Sequence, residues 1–165
     1  MTGHEHRTPA EDERGPMTME ERAVWVYLAV SVTTSVAYFA VIVPRALEGP
    51  IEDVSWVVPM LWAIGISIAG TIAGSIVAAI GSAVGLAARG RDPEAELGSD
   101  ERDREISRLG NRATYGVVSA GMLGALVLAM LDADTFWIGN AIFVVGFIGS
   151  LVECTVKIRA YRRGF

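Results

Sequence analysis

Few side chains in this sequence have the types and spacing that catalysis or metal binding requires. His4 and His6 flank Glu5 near the N-terminus, and these imidazoles could bind a metal ion weakly, but further ligands do not accompany them. Cys154 is the single cysteine, and it fits a small apolar residue near a helix end better than a reactive thiol. The other residues do not assemble into a nucleophile–base set, a phosphate-binding glycine loop or a paired-carboxylate cleft. The sequence therefore predicts neither enzyme activity nor a bound cofactor or metal ion.

Ionisable side chains are missing from the middle of the long apolar segments. A proton-coupled transporter normally keeps such a group near the membrane centre, where it is costly and therefore functional. Glu153 lies at the edge of the last apolar segment and precedes Lys157 by four residues, the favoured order for an ion pair on a helix. We interpret this pair as a solvated helix end. Asn140 is the only amide in these segments, and we expect it to hold helices together by hydrogen bonding.

Hydroxyl-bearing residues form one stripe in the first apolar segment. Tyr27, Ser31, Thr34 and Tyr38 follow one another at spacings of four, three and four, which places them on one face of a helix. Such a stripe can hydrogen-bond to neighbouring helices or line a wet path. We favour the first interpretation, since helix hydroxyls also bond to their own preceding turn.

A charged stretch at residues 100–112 precedes the third apolar segment. Ser99 can cap a helix here, and its acidic first turn complements the helix dipole. We expect this helix to continue into the apolar segment. Its first four residues form a candidate cytoplasmic contact motif: Asp100, Glu101, Arg102 and Asp103. The motif would bind a partner or the arginine-rich C-terminus; a charged helix start without a contact role is the alternative, which we favour.

The same motif supports a resemblance to known sequences. Written as Asp-Glu-Arg-(Asp/Glu)-x-x-Ile, it covers residues 100–106 and stands just before the third apolar segment, which begins near Ala113. In both respects the second half of the chain resembles a loose group of small, uncharacterised prokaryotic membrane proteins with four predicted spans. The resemblance implies a four-span topology and brings no assigned activity with it.

Four apolar segments must position these residues, and each is long enough to cross a membrane. At a rise of about 1.5 Å per residue, roughly 20 helical residues cover a hydrocarbon core of about 30 Å. The predicted spans are residues 23–43, 59–81, 113–131 and 135–152. Only residues 132–134 separate the last two, so these must form an antiparallel hairpin. The sequence therefore predicts an all-α fold, an integral membrane four-helix bundle.

Charged residues are concentrated in three regions outside the spans. These are a flexible acidic tail at residues 1–22, a loop at 89–112 and a basic C-terminus at 153–165. They hold thirteen of the fourteen arginine and lysine residues, and Arg45 alone lies on the other side of the membrane. By the positive-inside rule, both termini are predicted to be cytoplasmic. The membrane is expected to be the plasma membrane. The formal net charge of −5 argues against nucleic acid as a partner.

Small residues follow helical spacing in three of the spans, and close contact between small residues drives helix association in lipid. The candidate packing residues are Gly70, Gly74, Gly81, Gly85, Gly146 and Gly149. The third span offers Gly116, Ala120 and Gly124. We expect the second, third and fourth spans to form a tight core with these faces turned inward. A dimerisation or pore-lining seam on the second span is the alternative.

These observations predict a non-enzymatic structural, interaction or accessory subunit whose surroundings are the lipid bilayer. It would assemble through its small-residue helix faces, either with copies of itself or with another membrane protein. The alternative is a small homo-oligomeric transporter or channel whose pore is lined by the hydroxyl stripe of the first span.

Overall fold

The computed structural model describes residues 18–88, 90 and 101–163, and these residues form four long α-helices. The helices are α1 (Met19–Glu48), α2 (Val57–Ala87), α3 (Glu101–Met130) and α4 (Thr135–Arg163). A short 3₁₀ turn, Ile51–Asp53, lies between the first two. Each helix is long and apolar enough to cross a membrane. The predicted all-α class with four apolar helices is confirmed, and these helices indicate a multi-pass membrane protein.

Polar side chains define the helix ends. The Thr18 hydroxyl accepts a hydrogen bond from the backbone N–H of Glu21 at 3.1 Å and so caps α1. At the start of α4, the Asp134 carboxylate accepts one from the N–H of Phe136 at 2.7 Å. Asp132 follows α3 with a φ of 52°, a left-handed conformation that aspartate tolerates better than most residues. The two aspartates thus shape the tight connection between α3 and α4.

The helices extend beyond the predicted spans. α1 continues through Pro44 to Glu48, although the first predicted span ended at Val43. A proline removes only one hydrogen bond of the helix ladder, and Pro44 stands within the last two turns of α1. α3 runs without a break from the charged motif into its apolar half, as the sequence predicts.

α1 and α4 occupy the centre of the bundle, and α2 and α3 flank them. α2 packs on α1, α1 packs on α4, and α4 packs on α3. The expected core of the second, third and fourth spans is therefore wrong. The small-residue face of α2 receives Val26 and Val30 of α1 instead, because the side chains of α1 fit into the groove that the glycines leave. Neighbouring helices run antiparallel throughout.

A buried hydrophobic cluster lies near the two short connections of the bundle, at residues 49–56 and 131–134. It contains Tyr38, Ile42, Met60, Ala63 and Phe136. The Trp56 ring meets the Phe136 ring edge-on, with ring centroids 6.3 Å apart, and it also lies over Gly139. Both connections therefore stand at the same end of the bundle, and the N-terminus of α1 stands at the other end.

Candidate functional site

A hydrogen-bonded pair joins α1 to α4 inside the bundle. The Tyr38 hydroxyl donates a hydrogen bond to Oδ1 of Asn140 at 2.8 Å. Nδ2 of Asn140 in turn donates to the backbone carbonyl of Phe136 at 2.8 Å. Both side chains are buried, so the amide has a partner on each of its polar atoms. Asn140 holds two helices together, as the sequence predicts.

A cavity of about 280 Å³ lies between α1, α2 and α4. It forms because α2 and α4 both pack on α1 without packing closely on each other in the part of the chain that the structure describes. Six hydroxyl-bearing residues line it: Tyr27, Ser31, Thr34, Ser35, Ser67 and Ser150. The other lining residues are apolar and come from α2 and α4. Among the described residues, none with a charged side chain lines this cavity.

The hydroxyl stripe predicted on α1 is divided between these two features. Its first three residues line the cavity, and Tyr38 bonds to Asn140 instead. The predicted stripe does not include three of the hydroxyl-bearing cavity residues, Ser35, Ser67 and Ser150. Ser35 stands four residues after Ser31, so the helical spacing could have revealed it. Ser150 is on another helix, and only the packing of α4 on α1 brings it here.

The cavity hydroxyls differ in their hydrogen bonding. Thr34 donates to the Val30 carbonyl at 2.8 Å, and Ser150 donates to the Phe147 carbonyl at 2.8 Å. Such bonds to the preceding turn are common for hydroxyls in helices. The Tyr27 hydroxyl interacts with the side chains of Ser31 and Ser150.

The candidate contact motif lies at the opposite end of the bundle from the two short connections. Asp103 is buried, and its carboxylate accepts a hydrogen bond from the Tyr161 hydroxyl of α4. Burial, together with this carboxylate, raises the pKa of Tyr161 above its ordinary value of 10.0, so the hydroxyl keeps its proton at neutral pH. Glu101 and Arg102 are exposed, and Asp100 lies outside the described residues. The motif thus meets the C-terminal segment through Asp103.

Two further residues at the start of α3 are buried, Ile106 and Gly110, and Ile106 is 0% exposed. The aliphatic stem of Lys157 crosses Gly110, where a Cβ would lie 2.7 Å from its Cε atom. The Lys157 ammonium pairs with Glu153 at 2.6 Å, which is the ion pair that the sequence predicts. The absence of a side chain at Gly110 therefore allows the lysine stem to lie directly on α3.

The N-terminal part of α1 contacts both of its neighbours at this end. Arg22 donates a hydrogen bond from Nη1 to the Ser82 hydroxyl of α2 at 2.7 Å. The Arg162 guanidinium of α4 lies 5.4 Å from the centre of the Trp25 ring, which is the geometry of a cation–π contact. Cys154 is buried, with its thiol 3.9 Å from the Val24 carbonyl.

The six candidate packing glycines fall into two groups. Gly70 and Gly74 face Val30 and Val26 of α1, and Gly149 faces Val118 and Thr114 of α3. At Gly81, Gly85 and Gly146, no atom of the described chain lies within 4 Å of the Cβ position, apart from the local backbone. Gly116 and Gly124 of α3 are open in the same way. The bundle thus covers some of its small-residue faces and leaves others uncovered.

The remaining candidates for chemistry give no site in the described structure. His4 and His6 lie outside the described residues. In residues 18–88, 90 and 101–163, no group of three or more His, Cys, Asp and Glu side chains could hold a metal ion. Comparisons of the chain with protein-family models, with curated proteins and with solved structures found no match.

Proposed function

We propose that this chain is a non-enzymatic, multi-pass protein of the plasma membrane that acts as an interaction or accessory subunit. It assembles through small-residue faces on its two outer helices. The partner is a second copy of the chain or another membrane protein.

The uncovered glycines of α2 and α3 are the observation that carries this proposal. Only 6% of the most apolar part of each of these helices is buried inside the bundle, against 22% for α1 and 17% for α4. Gly81, Gly85, Gly116 and Gly124 are open within the described chain. In lipid, helices associate by close contact between small residues, because lipid tails are as apolar as leucine. Open glycine faces therefore favour contact with the helix of another subunit.

The orientation in the membrane rests on the distribution of charge. The N-terminal end of α1, the C-terminal end of α4 and the start of α3 stand together at one end of the bundle. In the sequence, thirteen of the fourteen arginine and lysine residues precede the first predicted span, lie between the second and third, or follow the fourth, and such an excess is typical of the cytoplasmic side. We therefore place both termini in the cytoplasm.

Native mass spectrometry of the untagged protein, released gently from its own membrane, tests the assembly. We expect the wild type to appear as a homo-oligomer or in a complex with another membrane polypeptide. We expect the double substitution Gly81→Leu with Gly124→Leu to lose that complex, because two leucines separate the helix faces. Leucine in place of glycine raises helix propensity by about 1 kcal/mol, so a weaker helix would not explain the loss.

Ile76→Leu is the matched control, because Ile76 is exposed on another face of α2 and the change conserves its volume. This variant should assemble like the wild type. A monomeric wild type, or a double variant that assembles normally, would contradict the proposal.

A further inference from the structure

Two serines in the cavity between α1, α2 and α4 have hydroxyls that helix packing does not explain. Ser35 is only 4% exposed and lines the cavity, yet its hydroxyl has no hydrogen-bond partner in the described chain. The Ser67 hydroxyl, on the α2 side of the same cavity, also has none there. Ser67 is half-buried, and among the described residues only Thr71 has a fully buried side-chain oxygen without a partner. The hydroxyls of Ser35 and Ser67 therefore reach the surface of the cavity, where they are open to a molecule that occupies it.

Other hydroxyls in the bundle make a hydrogen bond within their own helix that Ser35 and Ser67 lack. Thr34, Ser82 and Thr114 each donate a hydrogen bond to the carbonyl four residues earlier in their own helix. That bond is open to any serine inside a helix. Since Ser35 and Ser67 do not make it, their hydroxyls remain available to a molecule in the cavity.

We propose that this cavity binds a small uncharged solute that carries hydroxyl or amide groups. A serine hydroxyl both donates and accepts hydrogen bonds, which suits a ligand that does the same. None of the described lining residues is charged, and burying an ion without a counter-charge is costly. Apolar residues of α2 and α4, among them Ile64, Ile68 and Phe147, form the rest of the lining and give the carbon skeleton of such a solute an apolar wall.

The size and position of the cavity fit the same class of ligand. Its volume of about 280 Å³ exceeds that of single waters, which take about 30 Å³ each. It lies just below the range of about 300–1,000 Å³ for ligand pockets, so the solute must be small. Along the helices it stands between the Tyr38–Asn140 pair and the Cys154–Val24 contact. Ser35 and Ser67 also stand near the middle of the predicted spans 23–43 and 59–81, and membrane transporters hold their substrates near the middle of the bilayer. The proposal does not depend on assembly.

Thiol labelling in lipid vesicles tests the proposal directly. Ser35→Cys and Ser67→Cys are made separately in a Cys154→Ala background, which removes the native thiol. Methyl methanethiolsulfonate is the probe, since it is itself small, polar and uncharged, and intact-protein mass reports the extent of modification. Val36→Cys and Ile66→Cys are the matched controls, because these neighbours are exposed on the outer surface of the same helices.

We expect the thiols introduced at positions 35 and 67 to react about tenfold faster than the controls, because hydrocarbon disfavours the reactive thiolate. Glycerol, urea or acetamide should slow the reaction at positions 35 and 67 and leave the controls unchanged. Equal rates at all four positions would overturn the proposal. Faster reaction that none of the three solutes slows would also overturn it, since the cavity would then hold water alone.

Discussion

The glycines of α2 differ in whether a side chain of α1 occupies the space next to them. At Gly70 and Gly74 the absence of a Cβ lets Val30 and Val26 approach the backbone of α2. At Gly65 no atom of the described chain lies within 4 Å of the Cβ position, apart from the local backbone. Sequence spacing identifies Gly70, Gly74 and Gly81 as members of one face. It cannot tell which of them is covered, because that depends on where α1 crosses α2.

Gly74→Ala should destabilise the bundle, whereas Gly65→Ala should not. The added methyl group at position 74 meets Val26, and a valine in a helix has essentially one side-chain rotamer with which to respond. We expect a loss of about 1–3 kcal/mol, which is typical of overpacking, measured by reversible unfolding in mixed micelles. Gly65→Ala is the control, and equal stability of the two variants would show that α1 does not pack on α2 at this turn.

The two halves of α3 have different surroundings. Its apolar half is little buried in the bundle. Its charged half meets α4 through Asp103 and Gly110, and Ile106 is buried beside them. The sequence predicts that one helix joins the two halves, because its charged first turn can be capped and no helix-breaking residue follows. The sequence does not predict the contact of Asp103 with Tyr161, since residues nearly sixty positions apart meet only through the antiparallel packing of α3 on α4.

Ile106→Ala should detach the start of α3 from α4. Ile106 is 0% exposed, and Leu109 on the same stretch is 41% exposed. Truncating a buried isoleucine costs about 2–5 kcal/mol, whereas Leu109→Ala should change stability by about 0.5 kcal/mol or less. Hydrogen exchange of the amides at residues 101–112 measures the effect locally. Similar exchange in both variants would mean that the burial of Ile106 does not hold this segment in place.

For the whole molecule, the number of helices follows from the sequence more readily than their arrangement does. Long uncharged segments specify helices of membrane length, and the three residues between the last two spans force a hairpin. The order α2, α1, α4, α3 does not follow, because several helices carry small-residue faces and spacing alone cannot choose a neighbour for each. The cavity was not predicted for the same reason, since it exists only because α2 and α4 share α1 as their neighbour.

The orientation of the bundle in the membrane is open to a direct test with two matched substitutions. Glu52 lies in the connection between α1 and α2, and Glu105 lies near the start of α3; both are exposed. In a Cys154→Ala background, Glu52→Cys should react with a membrane-impermeant maleimide in intact cells. Glu105→Cys should react only after the membrane is opened.

This outcome is expected because thirteen of the fourteen basic residues would otherwise have to cross the membrane, against the positive-inside rule. The reverse labelling pattern would place both termini outside the cytoplasm. Labelling of both thiols in intact cells would mean either that α2 does not cross the membrane or that the protein inserts in both orientations. In either case the charge bias would not fix the predicted topology.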